Sequence, residues 1–258
     1  MNSQKFPMDC KFDFAKKTVL VTGAGRGVGA EIAKMFWESG ANVAFTDVDP
    51  KTAQSTAESI DPKQQRAFWQ SLDVRQKASF EAVLDEMVKR WGRVDIVVNN
   101  AGYAKRTHVQ EISVDEFDDI VAINMRSVFL SCQVFGPHLR KNGYGRIINI
   151  TSLAGQNGGT VASAHYAAAK AGATMLTKYF AQDLAGSGVT VNAISPGPIS
   201  TAKGRLSPEQ IEMIEGRVPV GRFMEASEIA CATALLASEQ GGFFMGATLD
   251  MNGGLFMR

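Results

Sequence analysis

The feature that most constrains the fold is a glycine-rich turn between the apolar residues 17–22 and a stretch with helical periodicity. Its glycines read G-x-x-x-G-x-G, from Gly23 through Gly27 to Gly29, whereas the common dinucleotide fingerprint is G-x-G-x-x-G. A sharp strand-to-helix turn needs positive φ, and a pyrophosphate reaches the amides of a helix N-terminus only where no Cβ intervenes. The turn therefore indicates a dinucleotide site, with a tight turn that binds nothing as the alternative.

Short runs rich in β-branched residues alternate with longer amphipathic stretches, which is the pattern of a parallel sheet covered by helices. The predicted strands are residues 17–22, 42–46, 66–72, 94–99, 145–150, 190–195 and 248–251. The predicted helices are residues 27–39, 51–60, 75–91, 114–141, 165–185 and 226–238. No repeat or linker divides the sequence, so we expect one α/β domain over residues 1–258 with its core at about 14–254.

The composition excludes several classes of protein. Of the 258 residues, 45% are apolar and 21% are charged, which is typical of a soluble globular protein. The formal net charge of +1 provides no basic face for nucleic acid or for an anionic membrane. No segment has the roughly 18 apolar residues of a membrane span, and residues 1–17 lack the apolar stretch of a secretory signal. The three cysteines have no paired spacing, so no metal site is predicted, and the expected location is the cytoplasm.

The second predicted strand is followed by an acidic residue, Asp47, which comes 18 residues after Gly29. A carboxylate at that position accepts hydrogen bonds from the adenosine ribose hydroxyls and repels a 2′-phosphate. Arg26 in the turn has the opposite tendency, because a guanidinium can pair with a 2′-phosphate. Asp49 adds negative charge nearby, so the sequence favours NAD over NADP as the cofactor.

Tyr166 and Lys170 are four residues apart in a predicted helix, so their side chains lie on one face. A tyrosine with its ordinary pKa of about 10 is a poor base at neutral pH. We expect the lysine charge, together with the charge of an oxidised nicotinamide, to lower the pKa of the Tyr166 phenol. Ser152 follows the fifth predicted strand, where its hydroxyl can polarise a substrate oxygen, although a serine there is also an ordinary turn residue.

Five motifs in order resemble the short-chain dehydrogenase/reductase family over almost the whole chain. They are Thr22-Gly23-x-x-x-Gly27-x-Gly29, Asn99-Asn100-Ala101-Gly102, Ser152, Tyr166-x-x-x-Lys170 and Pro196-Gly197-Pro198-Ile199-Ser200-Thr201. The resemblance implies a doubly wound Rossmann fold, with a seven-stranded parallel sheet flanked by helices on both faces, and commonly a homotetramer. It also identifies Asn124 as a fourth catalytic residue beside Ser152, Tyr166 and Lys170, whereas composition alone suggests a solvated helix residue.

The resemblance also implies which residues bind the cofactor. Asp73 and Val74 are the implied adenine contacts, and Ile199 with Thr201 would hold the nicotinamide carboxamide. The complete implied set is Gly23, Arg26, Gly27, Val28, Gly29, Asp47, Asp73, Val74, Asn99, Ala101, Gly102, Tyr166, Lys170, Pro196, Gly197, Ile199 and Thr201.

The implied activity is hydride transfer between NAD(H) and a secondary alcohol or ketone, with Tyr166 as the general acid/base. An alternative within the family is the reduction of 3-oxoacyl carrier-protein substrates, which generally uses NADPH and which Asp47 disfavours. An alternative of another class is a regulator that senses a dinucleotide without catalysis. Such a sensor would have no need of Ser152, Tyr166 and Lys170 together with Asn124.

The identity of the small-molecule substrate stays open. Residues at about 198–223, with their variable part from Ala202 to Phe223, are expected to form the substrate loop. Candidate ligands for substrate hydroxyls are Gln156, Asn157 and His165, and candidate partners for a carboxylate or phosphate are Tyr103, Lys105, Arg106 and His108.

Overall fold

A computed structural model describes residues 11–159 and 163–257, and the first ten residues, part of the segment inspected for a secretory signal, lie outside it. In the described residues, seven strands form one parallel sheet in the order β3-β2-β1-β4-β5-β6-β7. The strands are β1 Thr18–Thr22, β2 Asn42–Asp47, β3 Ala67–Ser71, β4 Ile96–Asn99, β5 Gly145–Ile150, β6 Val189–Pro196 and β7 Thr248–Met251. The expected seven-stranded parallel sheet is confirmed.

Helices connect the strands and cover both faces of the sheet. The α-helices in the described ranges are α1 Gly27–Glu38, α2 Pro50–Ile60, α3 Lys77–Trp91, α4 Val114–Val121, α5 Ser127–Asn142, α6 Ala154–Asn157, α7 Ala164–Asp183, α8 Pro208–Arg217 and α9 Ala226–Ala237. A π-helix, Ala122–Arg126, joins α4 to α5, and 3-10 helices occupy Val109–Glu111, Ser200–Arg205 and Gln240–Phe243. The doubly wound α/β architecture is therefore confirmed.

Three helical features differ from the predicted set. The single helix predicted over residues 114–141 is interrupted by the π-helix, which inserts one extra residue into a turn without changing the apolar pattern. The four-residue α6 is too short to show a periodicity. Helix α8 has no buried residue, so it lacks the buried apolar face by which a helix is predicted from sequence. Its N-terminus has a capping box formed by Ser207 and Gln210.

The two faces of the sheet explain why the strands are continuously apolar. Val19 and Val21 on β1 point into a core cluster shared with α1 and α9. Leu20, between them, points into the opposite cluster, which is shared with α3, α5 and α7. Since neighbouring side chains on a strand alternate between faces, a sheet covered on both sides needs apolar residues at every position.

The position of β1 in the sheet creates a crevice. Strand β1 pairs with β2 on one side and with β4 on the other, with Val21 beside both Phe45 and Val98. The connections that leave β1 and β4 therefore diverge to opposite faces, and the gap between them opens at the carboxyl ends of the strands. The glycine turn and the end of β4 lie at this gap.

The continuous helical segment Val114–Asn142, formed by α4, the π-helix and α5, is long and apolar enough to cross a membrane. However, 56% of its most apolar window is buried inside the protein. Phe135 and Leu139, for example, belong to the core cluster beneath the sheet. The segment therefore has the features of a core helix, in which apolar residues serve packing.

Candidate active site

A cleft of about 610 Å³ lies at the carboxyl ends of the central strands. Its volume is within the range of small-molecule and cofactor sites. The residues that line it are spread along the sequence from residue 23 to residue 199: Gly23, Arg26, Val28, Gly29, Asp47, Val48, Leu72, Asp73, Val74, Arg75, Asn100, Ala101, Gly102, Tyr103, Ala104, Ile123, Ile150, Thr151, Ser152, Tyr166, Lys170, Pro196, Gly197 and Ile199.

The glycine turn forms one wall of the cleft. Gly23 has φ +64°, a conformation that favours glycine, and a Cβ on Gly29 would lie 2.1 Å from the Gly23 carbonyl oxygen. The N-cap residue Arg26 makes no side-chain hydrogen bond to the first amides of α1, and the first turn contains no acidic residue. These amides can donate hydrogen bonds to an anionic pyrophosphate, which the partial positive charge of the helix start also attracts.

The turn is held in place by an asparagine that sequence reasoning did not include among the site residues. The Asn100 Nδ2 donates to the carbonyls of Thr22 at 2.9 Å and Gly23 at 3.2 Å. Thr22 Oγ1 in return accepts the backbone amides of Asn100 and Ala101, each at 3.0 Å. The Asn-Asn-Ala-Gly motif thereby fixes the turn relative to β4.

Asp47 lies at the end of β2 and faces the cleft. Its Oδ2 accepts the backbone amide of Gly25 at 3.2 Å, and its Oδ1 accepts that of Asp49 at 3.2 Å. The carboxylate is therefore fixed beside the glycine turn, as the sequence predicts. Arg26 lines the same cleft but is exposed, so both residues with opposite tendencies toward a 2′-phosphate lie at this end.

The outer end of the cleft contains a carboxylate with a fixed orientation. Arg75 Nε donates to Asp73 Oδ1 at 2.9 Å, and Arg75 Nη2 donates to Asp73 Oδ2 at 2.9 Å. The hydrogen bonds from Arg75 lower the pKa of Asp73. Arg75 Nη1 also reaches Asp119 on α4 at 3.0 Å. Asp73 is thus ionised at neutral pH and held beside Val74, which also lines the cleft.

At the inner end of the cleft, Tyr166 and Ser152 both line the cavity, and the Ser152 hydroxyl is near enough to lower the pKa of the Tyr166 phenol. Ser152 follows β5 and its Oγ accepts the amide of Ala154 at 3.2 Å, so the hydroxyl is oriented by the first turn of α6. Burial raises the pKa of Tyr166, and the contact with Ser152 offsets this only in part. The phenol therefore carries its proton at neutral pH.

Lys170 is one helical turn after Tyr166 and is 4% exposed. Its Nζ donates to the backbone carbonyl of Ile150 at 2.9 Å and lies 5.7 Å from the centroid of the Tyr166 ring. Burial lowers the pKa of Lys170 to about 8. In the chain by itself the loss of solvent around the phenol is the larger effect, and the lowering of the Tyr166 pKa by the lysine together with an oxidised nicotinamide stays a prediction.

Asn124 lies in the π-helix and is 1% exposed, so the solvated position suggested by composition is wrong. Its Nδ2 donates to the carbonyls of Tyr103 at 2.8 Å and Ile120 at 3.0 Å, and its Oδ1 accepts the amide of Tyr103 at 3.2 Å. A Cβ on Gly102 would lie 3.0 Å from Asn124 Oδ1 and 3.3 Å from Lys170 Nζ. Gly102 is therefore the point at which these two side chains approach each other.

Four residues of the predicted site do not line the cleft: Gly27, Asn99, Asn124 and Thr201. The Asn99 side chain is buried under the cleft and donates to Asn149 Oδ1 at 2.8 Å, so its neighbour Asn100 takes the place at the wall. Thr201 lies exposed in the 3-10 helix Ser200–Arg205. Gly27 is the first residue of α1, with φ +59°.

Two side chains suggested for substrate hydroxyls have protein partners instead. The Gln156 Nε2 donates to Asp250 on β7 at 2.5 Å. The His165 Nε2 lies 3.1 Å from Glu116 on α4. Neither residue lines the cleft, and a role for them in binding substrate hydroxyls stays a prediction.

The expected substrate loop contains a 3-10 helix and α8. Lys203 Nζ pairs with Glu215 Oε1 at 2.8 Å and lies 4.9 Å from the centroid of the Phe223 ring, which is buried. Helix α8 itself buries no residue, and Ile211 and Ile214 are half-buried. Few side chains of this segment, Phe223 among them, are therefore buried in the core.

Comparisons with known proteins agree with this geometry. A family profile described as enoyl-(acyl carrier protein) reductase matches residues 23–256. The chain is 37% identical over 243 residues to the 3-oxoacyl-[acyl-carrier-protein] reductase FabG of Staphylococcus epidermidis, covering 93% of this chain and 99% of that protein. It is 39% identical over 248 residues to the protein of the same name from Escherichia coli strain K12, covering 95% of this chain and 99% of that protein.

A solved structure is similar over the same extent. The short-chain dehydrogenase/reductase SDR:Glucose/ribitol dehydrogenase from Brucella melitensis superposes with a TM-score of 0.88 at 31% sequence identity. The superposition covers 96% of this chain and 100% of that chain. The similarity therefore extends from the glycine turn through the cleft to the last strand.

Proposed function

The chain belongs to the short-chain dehydrogenase/reductase family and is a nicotinamide-dependent oxidoreductase, and we propose that it transfers a hydride between NAD(H) and a secondary alcohol or ketone. One observation carries this proposal. The Tyr166 phenol contacts the Ser152 hydroxyl at the inner end of a cleft whose other wall is a glycine turn at a helix start. A dinucleotide site and a proton-transferring residue thus share one cavity.

Tyr166 acts as the general acid/base in this proposal. Its Oη carries a proton at neutral pH because burial raises the pKa of the phenol, so it can donate to a carbonyl oxygen during reduction. In the oxidative direction the same oxygen would take the alcohol proton as the phenolate, a form that the positive charges of Lys170 and of an oxidised nicotinamide would favour. Ser152 orients the substrate oxygen beside Tyr166. Lys170 and Asn124 complete the proposed set, and the polar ends of both side chains lie near Gly102, which lines the cleft.

The residues of the cleft fit a nicotinamide dinucleotide. Glycine at residue 29 lets the turn close, because a Cβ there would lie 2.1 Å from the Gly23 carbonyl oxygen, and the first amides of α1 lack a side-chain cap, as a pyrophosphate site requires. When bound, the nicotinamide supplies the hydride in reduction and accepts it in oxidation. The proposed holders are Gly23, Arg26, Gly27, Val28, Gly29, Asp47, Asp73, Val74, Asn99, Ala101, Gly102, Tyr166, Lys170, Pro196, Gly197, Ile199 and Thr201, with Asn100 added.

The preference for NAD rests on Asp47. Its carboxylate is fixed by the amides of Gly25 and Asp49 and faces the cleft at the end of β2. A 2′-phosphate placed beside this charge would be repelled, whereas two ribose hydroxyls can donate to it. Arg26 also lines the cleft, but its side chain is exposed, so solvent screens its attraction for a 2′-phosphate.

The names of the relatives favour a second candidate, the reduction of a 3-oxoacyl thioester on an acyl carrier protein with NADPH. The same proton donor and the same cleft would serve this reaction. The two candidates differ at Asp47, which opposes NADPH, and in the size of the substrate.

We also propose that the enzyme is a cytoplasmic homotetramer. Each chain would form one catalytic domain, in which residues 198–223 form the substrate loop.

A groove between the π-helix, α5 and α7 is lined mainly by apolar side chains, among them Phe129, Met175 and Tyr179. Met175 is 62% exposed and Tyr179 is 61% exposed, which is unusual for large apolar residues in a single chain. A second copy packed on this face would cover them, and Met175→Glu should reduce the mass measured by sedimentation.

The test of the proposed function is steady-state kinetics on a panel of secondary alcohols with NAD and ketones with NADH. The absorbance of the reduced cofactor reports turnover, and each pair is repeated with NADP(H) and with 3-oxoacyl thioesters. We expect turnover with at least one alcohol or ketone pair and a higher kcat/KM with NADH than with NADPH. A higher kcat/KM with NADPH and a 3-oxoacyl thioester would favour the second candidate.

A further inference from the structure

An irregular segment, residues 103–107, runs along the substrate side of the cleft; we call it the strap. Tyr103 and Ala104 line the cleft, and they belong to no helix or strand. At the start of the strap, Asn124 binds both the amide and the carbonyl of Tyr103. This end of the strap is therefore fixed by one of the four proposed catalytic residues.

The other end of the strap is fixed to the beginning of α7. Ser163, the residue before α7, is buried; its Oγ donates to the Lys105 carbonyl at 2.6 Å and accepts the Thr107 amide at 2.9 Å. Ser163 precedes Tyr166 by three residues. The strap thus connects Asn124 to the first turn of the helix that presents the proposed acid/base.

A single carboxylate joins these elements. The Glu116 side chain on α4 is 13% exposed and accepts hydrogen bonds from Lys105 Nζ, from the Thr107 hydroxyl and from His165 Nε2. The bond from Lys105, followed by that from Thr107, lowers the pKa of Glu116 to about 2, so the group is ionised at neutral pH. Two of its donors belong to the strap and the third immediately precedes Tyr166.

His165 depends on this carboxylate. Its side chain has no exposed surface, and the ring stacks at 6.4 Å on Phe117 of α4. Because an ionised carboxylate only accepts hydrogen bonds, the His165 Nε2 must carry the hydrogen. Within residues 11–159 and 163–257, Nδ1 has no hydrogen-bond partner. Glu116 therefore provides the hydrogen bond that orients a buried ring next to Tyr166.

We propose that Glu116 is a positioning residue, which locks the strap and His165 against the first turn of α7 and thereby holds Tyr166 and Asn124 in their reactive arrangement. This inference rests on the proposed function for its catalytic consequence. Removal of the carboxylate releases Lys105 and Thr107 from α4 and leaves the buried His165 ring without an acceptor. Both changes act on elements that end at the proposed proton-transferring residues, so the loss should appear in kcat.

The test compares Glu116→Ala and Glu116→Gln with Asp61→Asn as a matched control. Asp61 is also a buried carboxylate with several donors, the amides of Arg66 and Ala67 among them, but it lies before β3, at the end of the sheet opposite the cleft. We expect Glu116→Ala to lower kcat about 10- to 100-fold with little change in the KM for the cofactor. Glu116→Gln keeps an acceptor and should lose less, and Asp61→Asn should change thermal stability without changing kcat.

Limited trypsin digestion gives a readout that needs no turnover, because Lys105 and Arg106 are cleavage sites within the strap. We expect cleavage after Arg106 to be at least about tenfold faster in Glu116→Ala than in the wild type or in Asp61→Asn, since a locked backbone resists proteolysis. Wild-type kcat in Glu116→Ala, or a loss of stability alone as in the control, would overturn the inference. If the wild type turned over no alcohol or ketone, the proposed function would fail, and an unchanged cleavage rate would then overturn the lock separately.

Discussion

Lys170 and Ile150 are joined by a hydrogen bond of 2.9 Å from the lysine Nζ to the backbone carbonyl at the end of β5. This bond holds the ammonium at the floor of the cleft, where it is 4% exposed. Burial therefore acts on both members of the Tyr166–Lys170 pair in the chain by itself: it raises the pKa of the phenol and lowers that of the ammonium to about 8. Both shifts favour the uncharged forms.

The first prediction concerns stability and pH. Unfolded lysine keeps its proton up to its ordinary pKa of about 10.5, whereas folded Lys170 loses it near 8, so the unfolded state binds more protons between these values. The free energy of unfolding of the cofactor-free protein should therefore rise with pH from 8 to 10.5 by up to about 3 kcal/mol from this group. Lys170→Met should lack this increment in urea titrations at several pH values.

The control for this experiment is Lys77→Met, which removes a lysine whose side chain is 48% exposed on α3. The free energy of unfolding of Lys77→Met should change with pH in the same way as that of the wild type from pH 8 to 10.5. A constant difference between wild type and Lys170→Met from pH 8 to 10.5 would show that Lys170 has no depressed pKa.

The second prediction separates an enzyme from a sensor. Tyr166→Phe removes the Oη that carries the proton but keeps the ring within the same buried environment. General acid/base catalysis contributes about 10²- to 10⁴-fold, so kcat should fall by that factor. The Kd for NADH, measured by fluorescence titration, should stay within a factor of about 3, because most of the proposed cofactor contacts lie at residues other than Tyr166.

A matched variant is Tyr144→Phe, which removes a hydroxyl from the residue before β5, at the end of that strand opposite Ser152 and outside the cleft. It should retain wild-type turnover. Equal loss of activity in both variants, or none in either, would be incompatible with Tyr166 as the acid/base.

The third prediction tests the glycine turn. An alanine Cβ at residue 29 would lie 2.1 Å from the Gly23 oxygen and 2.4 Å from Asn100 Nδ2, so the turn and its anchor must both move. Gly29→Ala should cost about 1–3 kcal/mol of unfolding free energy, as overpacked sites do. It should also abolish most of the thermal stabilisation that saturating NADH gives the wild type.

Gly204→Ala provides the comparison, because a Cβ there meets no atom within 4 Å. Its melting temperature should match the wild type with and without NADH. Should Gly29→Ala retain the full shift in melting temperature with NADH, the turn would not be the phosphate site.

Sequence reasoning predicted the sheet, the glycine turn and the proximity of Ser152 to Tyr166, because apolar periodicity and strand ends place these residues. It named Asn99 for the wall of the cleft and left out Asn100, since adjacent residues at a strand end point in opposite directions and the choice depends on where β4 ends. The Ile150 carbonyl is a backbone acceptor, which no side-chain pattern indicates.

Asn124 and Glu116 show two further limits of the sequence. A π-helix turns Asn124 inward without altering the apolar pattern, so residues alone suggested solvent. Glu116 has the appearance of an ordinary first-turn acid of α4, and its role depends on a strap with no regular structure. Contacts between irregular segments are set by tertiary packing, which local patterns do not encode.

The last prediction concerns Asp47, which combines two roles: repulsion of a 2′-phosphate and support of the turn through the Gly25 amide. Asp47→Asn keeps an oxygen acceptor for that amide but removes the charge, so the ratio of kcat/KM for NADPH to that for NADH should rise at least about tenfold, or about 1.4 kcal/mol. Asp49→Asn is the matched control, because Asp49 caps α2 through the Lys51 amide at 3.0 Å and does not line the cleft. An equal rise in the two variants would indicate that general surface charge, and not a contact at Asp47, sets the preference.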